Sequence, residues 1–326
     1  MPTLKIDRND AGQRLDRFLK KALPGMPKSH IFKLLRTRKV RVNGRRARGD
    51  RILQSGDEII LHMDDGQFQK DSRRRKRPAT GMDFKVVFED EHLLVVSKPP
   101  FLPVHPGAGH TGNSLIDQVH AYLEADTRPD VFRPSLAHRL DRDTSGLLLI
   151  GKTVSVLQKL SRMLKEGRVD KRYLALAGGV PRPPKGTWEF EVQRRDVPGK
   201  GGSKTRGRKD QAGRTSYRVA ATRKLKPEKG PPLEISLLVL KLHTGRTHQI
   251  RSHLNQAGHP LLGDVRYGDR VLNNLLKKRY NLRRQFLHAF RLGLVHPETK
   301  KELSLVDAYP QDLKPIAQSL RLGIPS

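Results

Sequence analysis

One stretch of this chain places charged residues directly in front of its most apolar run. His138-Arg-Leu-Asp-Arg-Asp-Thr-Ser-Gly146 leads into Leu147-Leu-Leu-Ile150, and Gly151 closes the run. Four aliphatic residues between two glycines predict a strand that is buried on both faces of a sheet. Catalytic groups tend to sit on loops that such a strand holds in place, so Asp141 and Asp143 are candidates. Aspartates in this pattern can equally build a turn and pair with the neighbouring arginines.

This stretch resembles the signature of the RluA-type pseudouridine synthases, H-R-L-D-x-x-T-S-G followed by aliphatic residues. Family members use the aspartate after H-R-L for catalysis, which the resemblance maps to Asp141. The arginine of the same motif, here Arg139, enters the RNA stack as the target uridine flips out. The resemblance implies an enzyme that isomerises uridine to pseudouridine in RNA. Because the two nucleosides are isomers, no cofactor or metal is formally needed. We regard Arg142 and Asp143 as structural.

Four further blocks are similar to the family. The tyrosine that packs on the target base in family members maps to Tyr173, although a strand tyrosine is ordinarily a packing residue. The arginine that pairs with the catalytic aspartate maps to Arg251. Thr247 is a plausible cap for the helix that would carry Arg251. The four blocks are Lys171–Leu176, Leu242–Arg251, Gly258–Gly268 and Phe286–Ala289.

Two competing motifs can be set aside. Residues Gly146 to Thr153 fit the phosphate-loop pattern G-x-x-x-x-G-K-[ST]. A phosphate loop needs free backbone N–H groups between its glycines, whereas the residues here form the apolar strand. His243, His248 and His253 suggest a metal site, but their spacing of five puts no pair on one helix face. No acidic ligand lies among them, so we expect no zinc.

The charge balance points to a polyanionic partner. The 326 residues include 65 Lys and Arg against 33 Asp and Glu, a net charge of +32. Nucleic acid fits this excess better than a membrane surface, because no apolar run approaches the length of a span. The chain has no cysteine, which excludes disulfides and thiolate metal sites and fits the cytoplasm. It does not open on a signal peptide pattern.

Residues 1–63 are expected to form a separate small module. Leu15, Phe18, Leu19 and Leu23 give one apolar helix face, and Ser29 is a plausible cap for a second helix. The Asn43-Gly44 pair predicts a hairpin, followed by a strand ending near Leu61. This order resembles the S4 RNA-binding domain. A phosphate-binding surface is predicted at eight cations without an interleaved acidic residue, namely Lys33, Arg36, Arg38, Lys39, Arg41, Arg45, Arg46 and Arg48.

The remaining chain divides into a linker and a large domain. Residues 64–82 contain five consecutive cations at 73–77 and no apolar periodicity, which predicts a basic flexible linker. Residues 83–326 carry all the family blocks, and the resemblance implies an α+β catalytic domain on a large, mostly antiparallel mixed sheet. Within it, residues 178–214 are rich in Pro, Gly and cations, which predicts a long basic loop or insertion, with a strand-like segment at Trp188–Val192.

The resemblance also suggests a substrate. An S4 module joined to this signature looks most like the subgroup that isomerises three separated uridines in large-subunit (23S) ribosomal RNA. The sister subgroup, which acts on a single stem-loop of the same RNA, shares that architecture. A non-catalytic RNA-binding protein of ribosome assembly is the other alternative. Asp141 would act either as a nucleophile at the sugar or as a base that removes a 2′ proton. We expect a monomer whose partner is ribosomal RNA or a large-subunit precursor.

Overall fold

The N-terminal module is a four-stranded antiparallel sheet with two helices in the computed structural model, which describes residues 1–72, 81–106, 114–123, 132–191, 212–227 and 230–325. The strand order is β1-β4-β2-β3. Asn43 and Gly44 both have positive φ, at 51° and 72°, so the predicted hairpin is confirmed. The elements are β1 (Thr3–Lys5), α1 (Leu15–Ala22), α2 (Lys28–Arg36), β2 (Val40–Val42), β3 (Arg45–Arg46) and β4 (Glu58–Leu61).

Two details of this region differ from the sequence-based expectation. Ser29 does not cap α2, because the helix starts after Pro27, whose carbonyl accepts the His30 N–H at 2.9 Å. Residues 65–72 are not a flexible linker, since they form a helix, α3 (Asp65–Ser72). The Asp64 side chain accepts the Gln67 N–H at 3.0 Å and so starts that helix, a capping signal that the sequence reasoning overlooked. Residues 73–80 of the predicted linker lie outside the described residues.

The larger part of the chain is built on one mixed sheet of ten strands. Its order is β10-β11-β12-β9-β13-β8-β6-β5, with β14 on β13 and β7 on β8. The pairing of β13 with β8 is parallel and the others are antiparallel, which agrees with the predicted α+β class. The elements are β5 (Lys85–Glu89), β6 (Leu93–Lys98), α4 (Leu115–Tyr122), β7 (Ser135–Leu136), β8 (Ser145–Gly151), α5 (Val154–Lys165), β9 (Asp170–Gly178), β10 (Lys185–Glu191), β11 (Ala212–Leu225), β12 (Leu233–Leu242), α6 (Gln249–Gln256), α7 (Arg270–Tyr280), β13 (Leu287–Val295), β14 (Glu302–Val306) and α8 (Lys314–Ser319).

Alternating residues send the strands' side chains into cores on opposite faces of the sheet. On β9, Tyr173 and Ala175 join the core that α4 and α6 cover, whereas Leu174 and Leu176 join the core beneath α7 and α8. The apolar residues of α5 pack on this second face beside β8. Helices therefore cover both faces, which explains why the central strands are almost wholly apolar.

Strand β8 is buried along its whole length, as predicted from its aliphatic run. Leu147 to Ile150 pair with Ser97 to Leu94 of β6, so their backbone groups belong to a sheet ladder. This confirms that the phosphate-loop pattern is accidental. Lys152, the lysine of that pattern, donates to the Asp90 carbonyl at 2.6 Å and to the Glu89 carboxylate at 2.5 Å.

The strand predicted from Trp188 is confirmed over Trp188–Glu191 as part of β10. The predicted basic loop at 178–214 is wrong in part, because β10 already begins at Lys185 and the first residues of β11 also lie within it. Trp188 of β10 stacks on Tyr217 of β11 with ring centroids 4.1 Å apart. This aromatic pairing across two strands outweighs the loop-like composition around it. The basic residues at 192–211 lie outside the described residues. Among the helices that the structure describes, none is long and apolar enough to cross a membrane.

Replacing Gly146 with alanine should be strongly destabilising. Gly146 has φ +117°, and an added Cβ would collide with the Ala289 backbone, where β13 lies alongside β8. Strain plus overpacking should cost about 3 kcal/mol or more. Trp188 is the single tryptophan and lies in the same sheet, so its fluorescence during urea unfolding measures the loss. Gly167→Ala is the control, since φ there is +71° with no atom within 4 Å of the added Cβ, and about 1 kcal/mol is expected. Equal losses would contradict the packing argument.

Candidate active site

Asp141 lies in the loop that leads into β8, and its carboxylate faces a guanidinium from a distant helix. Leu140 beside it is buried and fixes the start of the loop, while the Asp141 side chain is 19% exposed. Arg251 of α6 donates from Nη1 to Asp141 Oδ2 at 3.0 Å. The structure thus brings together two residues that the family resemblance predicts as a pair.

A second carboxylate fixes the other side of Arg251. Its Nε and Nη2 atoms donate to the two oxygens of Asp264 at 2.6 and 2.9 Å, which is a bidentate contact. Burial opposes the charge of Arg251, but the hydrogen bonds and charges of Asp264 and Asp141 outweigh it and raise the pKa of the guanidinium. Arg251 is therefore permanently charged and has one remaining edge for Asp141.

Asp264 is a residue of this site that the sequence analysis did not single out. Its side chain is fully buried, and Oδ1 accepts the backbone N–H groups of Arg266 and Tyr267 at 2.8 and 3.0 Å. Burial would raise the pKa of Asp264, but the contact with Arg251 and these backbone donors lower it. The tyrosine ring also lies 5.2 Å from the Arg251 guanidinium carbon. The sequence signal was present, because Asp264 is the acidic residue of the family block at 258–268.

Lys98, at the end of β6, contacts the loop that carries Asp141, residues 138–145, which we call the Asp141 loop. Its ammonium is fully buried and donates to three carbonyl oxygens, those of Pro99, Leu102 and Arg142, at 2.7, 2.9 and 2.9 Å. Burial, and after it the charge of Arg284, lowers the pKa of Lys98 to about 7. The Arg142 carbonyl directly follows Asp141 in the chain, so this contact positions the carboxylate.

Arg284 is a second buried cation that holds the same loop. It donates to the Asp143 carbonyl and to Ser145 Oγ, each at 3.0 Å. Its charge is balanced by Asp312, whose carboxylate accepts Nε at 2.6 Å. Arg284 therefore joins the Asp141 loop to the segment before α8.

Ser145, His288 and Asp307 have the order of a hydrolase triad but not its access to substrate. Ser145 Oγ lies 3.1 Å from His288 Nδ1, and His288 Nε2 lies 3.7 Å from the Asp307 carboxylate. Ser145 is 1% exposed and already bonded to Arg284. The three residues brace the start of β8 and do not form a nucleophilic site.

Two neighbouring cavities, of about 60 and 290 Å³, meet at Asp141. Both are lined by Arg139, Asp141, Tyr173, Leu242 and Arg246. Tyr173 is almost fully buried on β9, and burial, with the Asp141 charge, raises the pKa of its hydroxyl, so the phenol stays neutral. Arg139 is exposed. The predicted site residues of the large domain therefore meet around one opening.

The helix α6 begins differently from the expectation. Thr247 is not its cap, because His248 occupies that position with a left-handed backbone, φ 58°, and makes no capping bond. Its Nε2 lies 3.9 Å from the Asp141 carboxylate, and Nδ1 lies 3.3 Å from the Tyr267 hydroxyl. The three histidines proposed and rejected as metal ligands have separate contacts, with His243 on Ser216 and His253 on the Phe190 carbonyl.

The predicted RNA-binding cations of the N-terminal module lie on the surface of that module. All are exposed, on α2, on the hairpin and on the turn between α2 and β2. Arg48 has a partner, with its Nε 3.6 Å from the Asp50 carboxylate. The remaining seven, for which no ion pair is recorded within residues 1–72, are Lys33, Arg36, Arg38, Lys39, Arg41, Arg45 and Arg46.

Comparison with known proteins gives consistent matches along the chain. The RNA pseudouridylate synthase family model matches residues 92–256, and the S4 domain model matches residues 13–59. Ribosomal large subunit pseudouridine synthase C of Escherichia coli (strain K12) is 34% identical over 338 residues, covering 98% of each chain. The protein with that name from Vibrio cholerae is 34% identical over 319 residues, covering 93% of this chain and 91% of its own.

Two solved human structures are similar in fold to most of this chain. Human RNA Pseudouridylate Synthase Domain Containing 4 superposes with a TM-score of 0.57 at 26% identity, covering 74% of this chain and 95% of its own. For Human RNA Pseudouridylate Synthase Domain Containing 1 the TM-score is 0.52 at 25% identity, with coverage of 76% and 98%.

Asp264→Asn should destabilise the protein, because Arg251 would remain buried with half of its countercharge removed. We expect a loss of about 3 kcal/mol at pH 7, measured by urea unfolding with Trp188 fluorescence. Since the folded-state pKa of Asp264 is lowered, its contribution is fully present above about pH 4 and is lost as the pH falls through that lower value. The gap between wild type and variant should therefore narrow in acid.

Asp269→Asn is the matched control for this prediction. Asp269 caps α7 by accepting the Leu272 N–H at 2.8 Å, and asparagine caps helices equally well. Its stability should stay within about 0.5 kcal/mol of the wild type. If Asp264→Asn were as stable as this control at pH 7, the supporting role of Asp264 would be refuted.

Proposed function

This chain belongs to the RNA pseudouridylate synthase family and carries an S4 domain, and from that premise we propose that it isomerises uridines of large-subunit (23S) ribosomal RNA, with Asp141 as the nucleophile. The observation that carries the proposal is the contact between Asp141 and Arg251 at the junction of the two cavities. A carboxylate that reacts at a sugar carbon must be ionised, and the facing guanidinium offsets the cost of its partial burial.

The reaction needs no group beyond the substrate and these side chains. The Asp141 carboxylate forms a bond to C1′ as the bond from C1′ to N1 breaks, and the detached uracil carries the electron pair. After the base rotates, C5 attacks C1′, the ester bond breaks and the carboxylate is regenerated. Loss of the C5 proton and protonation of N1 complete the isomerisation. In the alternative route, Asp141 removes the 2′ proton and a glycal forms, and the same carboxylate is required.

Arg139 is suited to the flipping of the uridine, which precedes bond cleavage. Tyr173 is suited to the retention of the detached uracil, which follows it. Both line the opening in front of Asp141. We assign to Tyr173 the stacking of the uracil, since a neutral phenol offers a flat face that retains the detached base. Arg139 is assigned the place in the RNA stack that the flipped uridine leaves, because its side chain is exposed beside the opening.

The N-terminal module supports ribosomal RNA as the substrate. The seven of its predicted cations that remain after Arg48, which pairs with Asp50, offer a face that binds phosphates, at a place distant in sequence from Asp141. The relatives named for the large ribosomal subunit match nearly the whole chain, including this module. Action at several uridines, as in the subgroup that the sequence resembles, is part of the proposal. We also propose that the protein acts in the cytoplasm and as a monomer.

Asp141→Asn should abolish isomerisation, because an amide cannot serve as the nucleophile. The expected loss is at least about a thousandfold, or about 4 kcal/mol in barrier. The measurement is single-turnover tritium release from 5-tritiated uridine in large-subunit ribosomal RNA at saturating protein. Asp143→Asn is the control, because Asp143 lies in the same loop and pairs with Arg142 at 2.7 Å. Release by Asp141→Asn near the wild-type rate, or loss in the control alone, would place the reaction elsewhere.

The double variant Arg45→Gln/Arg46→Gln should weaken RNA binding in a salt-dependent way. If each arginine contacts a phosphate, the slope of log affinity against log salt should fall by about 2. The control removes two exposed cations from α7, with Lys277→Gln/Lys278→Gln, and should keep the wild-type slope. Binding titrations with large-subunit ribosomal RNA at several salt concentrations make the comparison. Equal slopes for both double variants would argue against the assigned face.

A further inference from the structure

Lys171 occupies a position in the site that the proposed reaction does not use. It precedes Tyr173 by two residues on β9, and alternate residues of a strand point to the same face. Both side chains line the cavity of about 290 Å³, together with Arg139 and Asp141. Lys171 is therefore placed next to the base-stacking tyrosine and within the space that opens on the nucleophile.

The ammonium of Lys171 lacks a counterion among the described residues. The neighbouring carboxylate of Asp170 is already engaged, by Arg172 at 2.8 Å and by Lys241 at 3.2 Å. Burial lowers the pKa of Lys171, and no opposing charge compensates for it. Of the other buried cations of the site, Arg251 and Arg284 each have a carboxylate partner, and Lys98 donates to three carbonyl oxygens. A partly desolvated cation without an anion is unfavourable in the free protein, so a bound anion would relieve that cost.

The surroundings of Lys171 indicate which anion fits. The lining of the cavity includes four cations, Arg139, Lys165, Lys171 and Arg246, and one acidic residue, Asp141, which Arg251 already neutralises. Burial and the nearby charge of Lys171 lower the pKa of His138 to about 3, so this ring is neutral and adds no charge to the cavity. A nucleotide whose sugar lies at Asp141 and whose base lies on Tyr173 carries its phosphodiester into the same space.

We propose that Lys171 is a phosphate-binding residue that holds the phosphodiester beside the target uridine. The inference rests on the proposed function for the identity of the nucleotide, and it adds a backbone contact inside the active site to those of the S4 face. Because the ammonium is partly withdrawn from water, its attraction to phosphate is stronger than that of an exposed lysine. The contact would fix the sugar against Asp141 after the base has left the helix.

The test compares Lys171→Met with Lys171→Arg and with Lys241→Met in full-length protein. Lys241 is the matched control, since it lies on the adjacent strand β12 opposite Arg172 and is already paired with Asp170. In titrations with a large-subunit ribosomal RNA transcript, Lys171→Met should bind about tenfold more weakly, and the slope of log affinity against log salt should fall by about 1. Lys171→Arg should retain most of both, and Lys241→Met should match the wild type.

Thermal melting separates this role from a structural one. Because the folded state lowers the pKa of Lys171, folding disfavours its charged form, and the stability associated with this residue rises as the pH rises through the folded pKa. Lys171→Met should therefore melt at the wild-type temperature or above it at pH 7. A variant that melts well below the wild type would make Lys171 a structural residue and overturn the proposal. So would wild-type affinity and salt slope in Lys171→Met.

Tritium release by the same proteins separates failure of the subsite from failure of the proposed function. If the wild type isomerises uridine and Lys171→Met binds like the wild type, the subsite is refuted and the function stands. If the wild type releases no tritium while Lys171→Met loses affinity and salt slope, the function is refuted and the phosphate contact stands. When both hold, Lys171→Met should lower the rate at subsaturating protein more than at saturating protein, because the residue binds substrate and does not take part in the bond changes.

Discussion

A guanidinium held between two carboxylates is the interaction on which the site depends. Arg251 gives its bidentate edge to the fully buried Asp264 and its remaining edge to Asp141. Asp264 fixes the position of the Arg251 guanidinium. A guanidinium that is already fixed stabilises the Asp141 charge better than one that must first become ordered. The residues in contact are 110 and 13 positions apart along the chain. The large sheet brings these residues together, because it fixes the positions of the Asp141 loop and of α6 relative to one another.

Local signals in the sequence predicted some elements well and others poorly. β8 was predicted because four aliphatic residues between two glycines are typical of a buried strand. The Asn43-Gly44 hairpin was predicted because Asn and Gly readily adopt the positive φ angles of such a turn. The helix α7 was not anticipated, since its sequence is rich in Arg, Asn and Lys and only Leu276 is fully buried. The strands β1 and β7 were also missed. Each is two or three residues long and exists through pairing with a distant strand, which no local pattern encodes.

The site shows the same division. Asp141, Tyr173 and Arg251 came from motif resemblance, and the structure places them around one opening, while their roles remain predictions. Lys98 and Arg284 were not anticipated, because they donate to backbone carbonyls of the Asp141 loop. These carbonyls lie 44 positions from Lys98 and 141 positions from Arg284. A carbonyl oxygen belongs to every residue type, so no sequence letter marks it as a partner. Contacts of this kind become visible only in the folded chain.

The contacts of Arg284 with the Asp141 loop determine when that loop can be completed during synthesis of the chain. A ribosome releases the chain from its N-terminus, so residues 138–145 emerge long before Arg284 and the Asp312 that balances its charge. Until those later residues have left the exit tunnel, Asp141 sits in a loop that Lys98 can hold but that lacks the contacts of Arg284. A growing chain can expose its cationic S4 face early, but residues 138–145 gain the contacts of a charge-balanced Arg284 only after Asp312 has emerged.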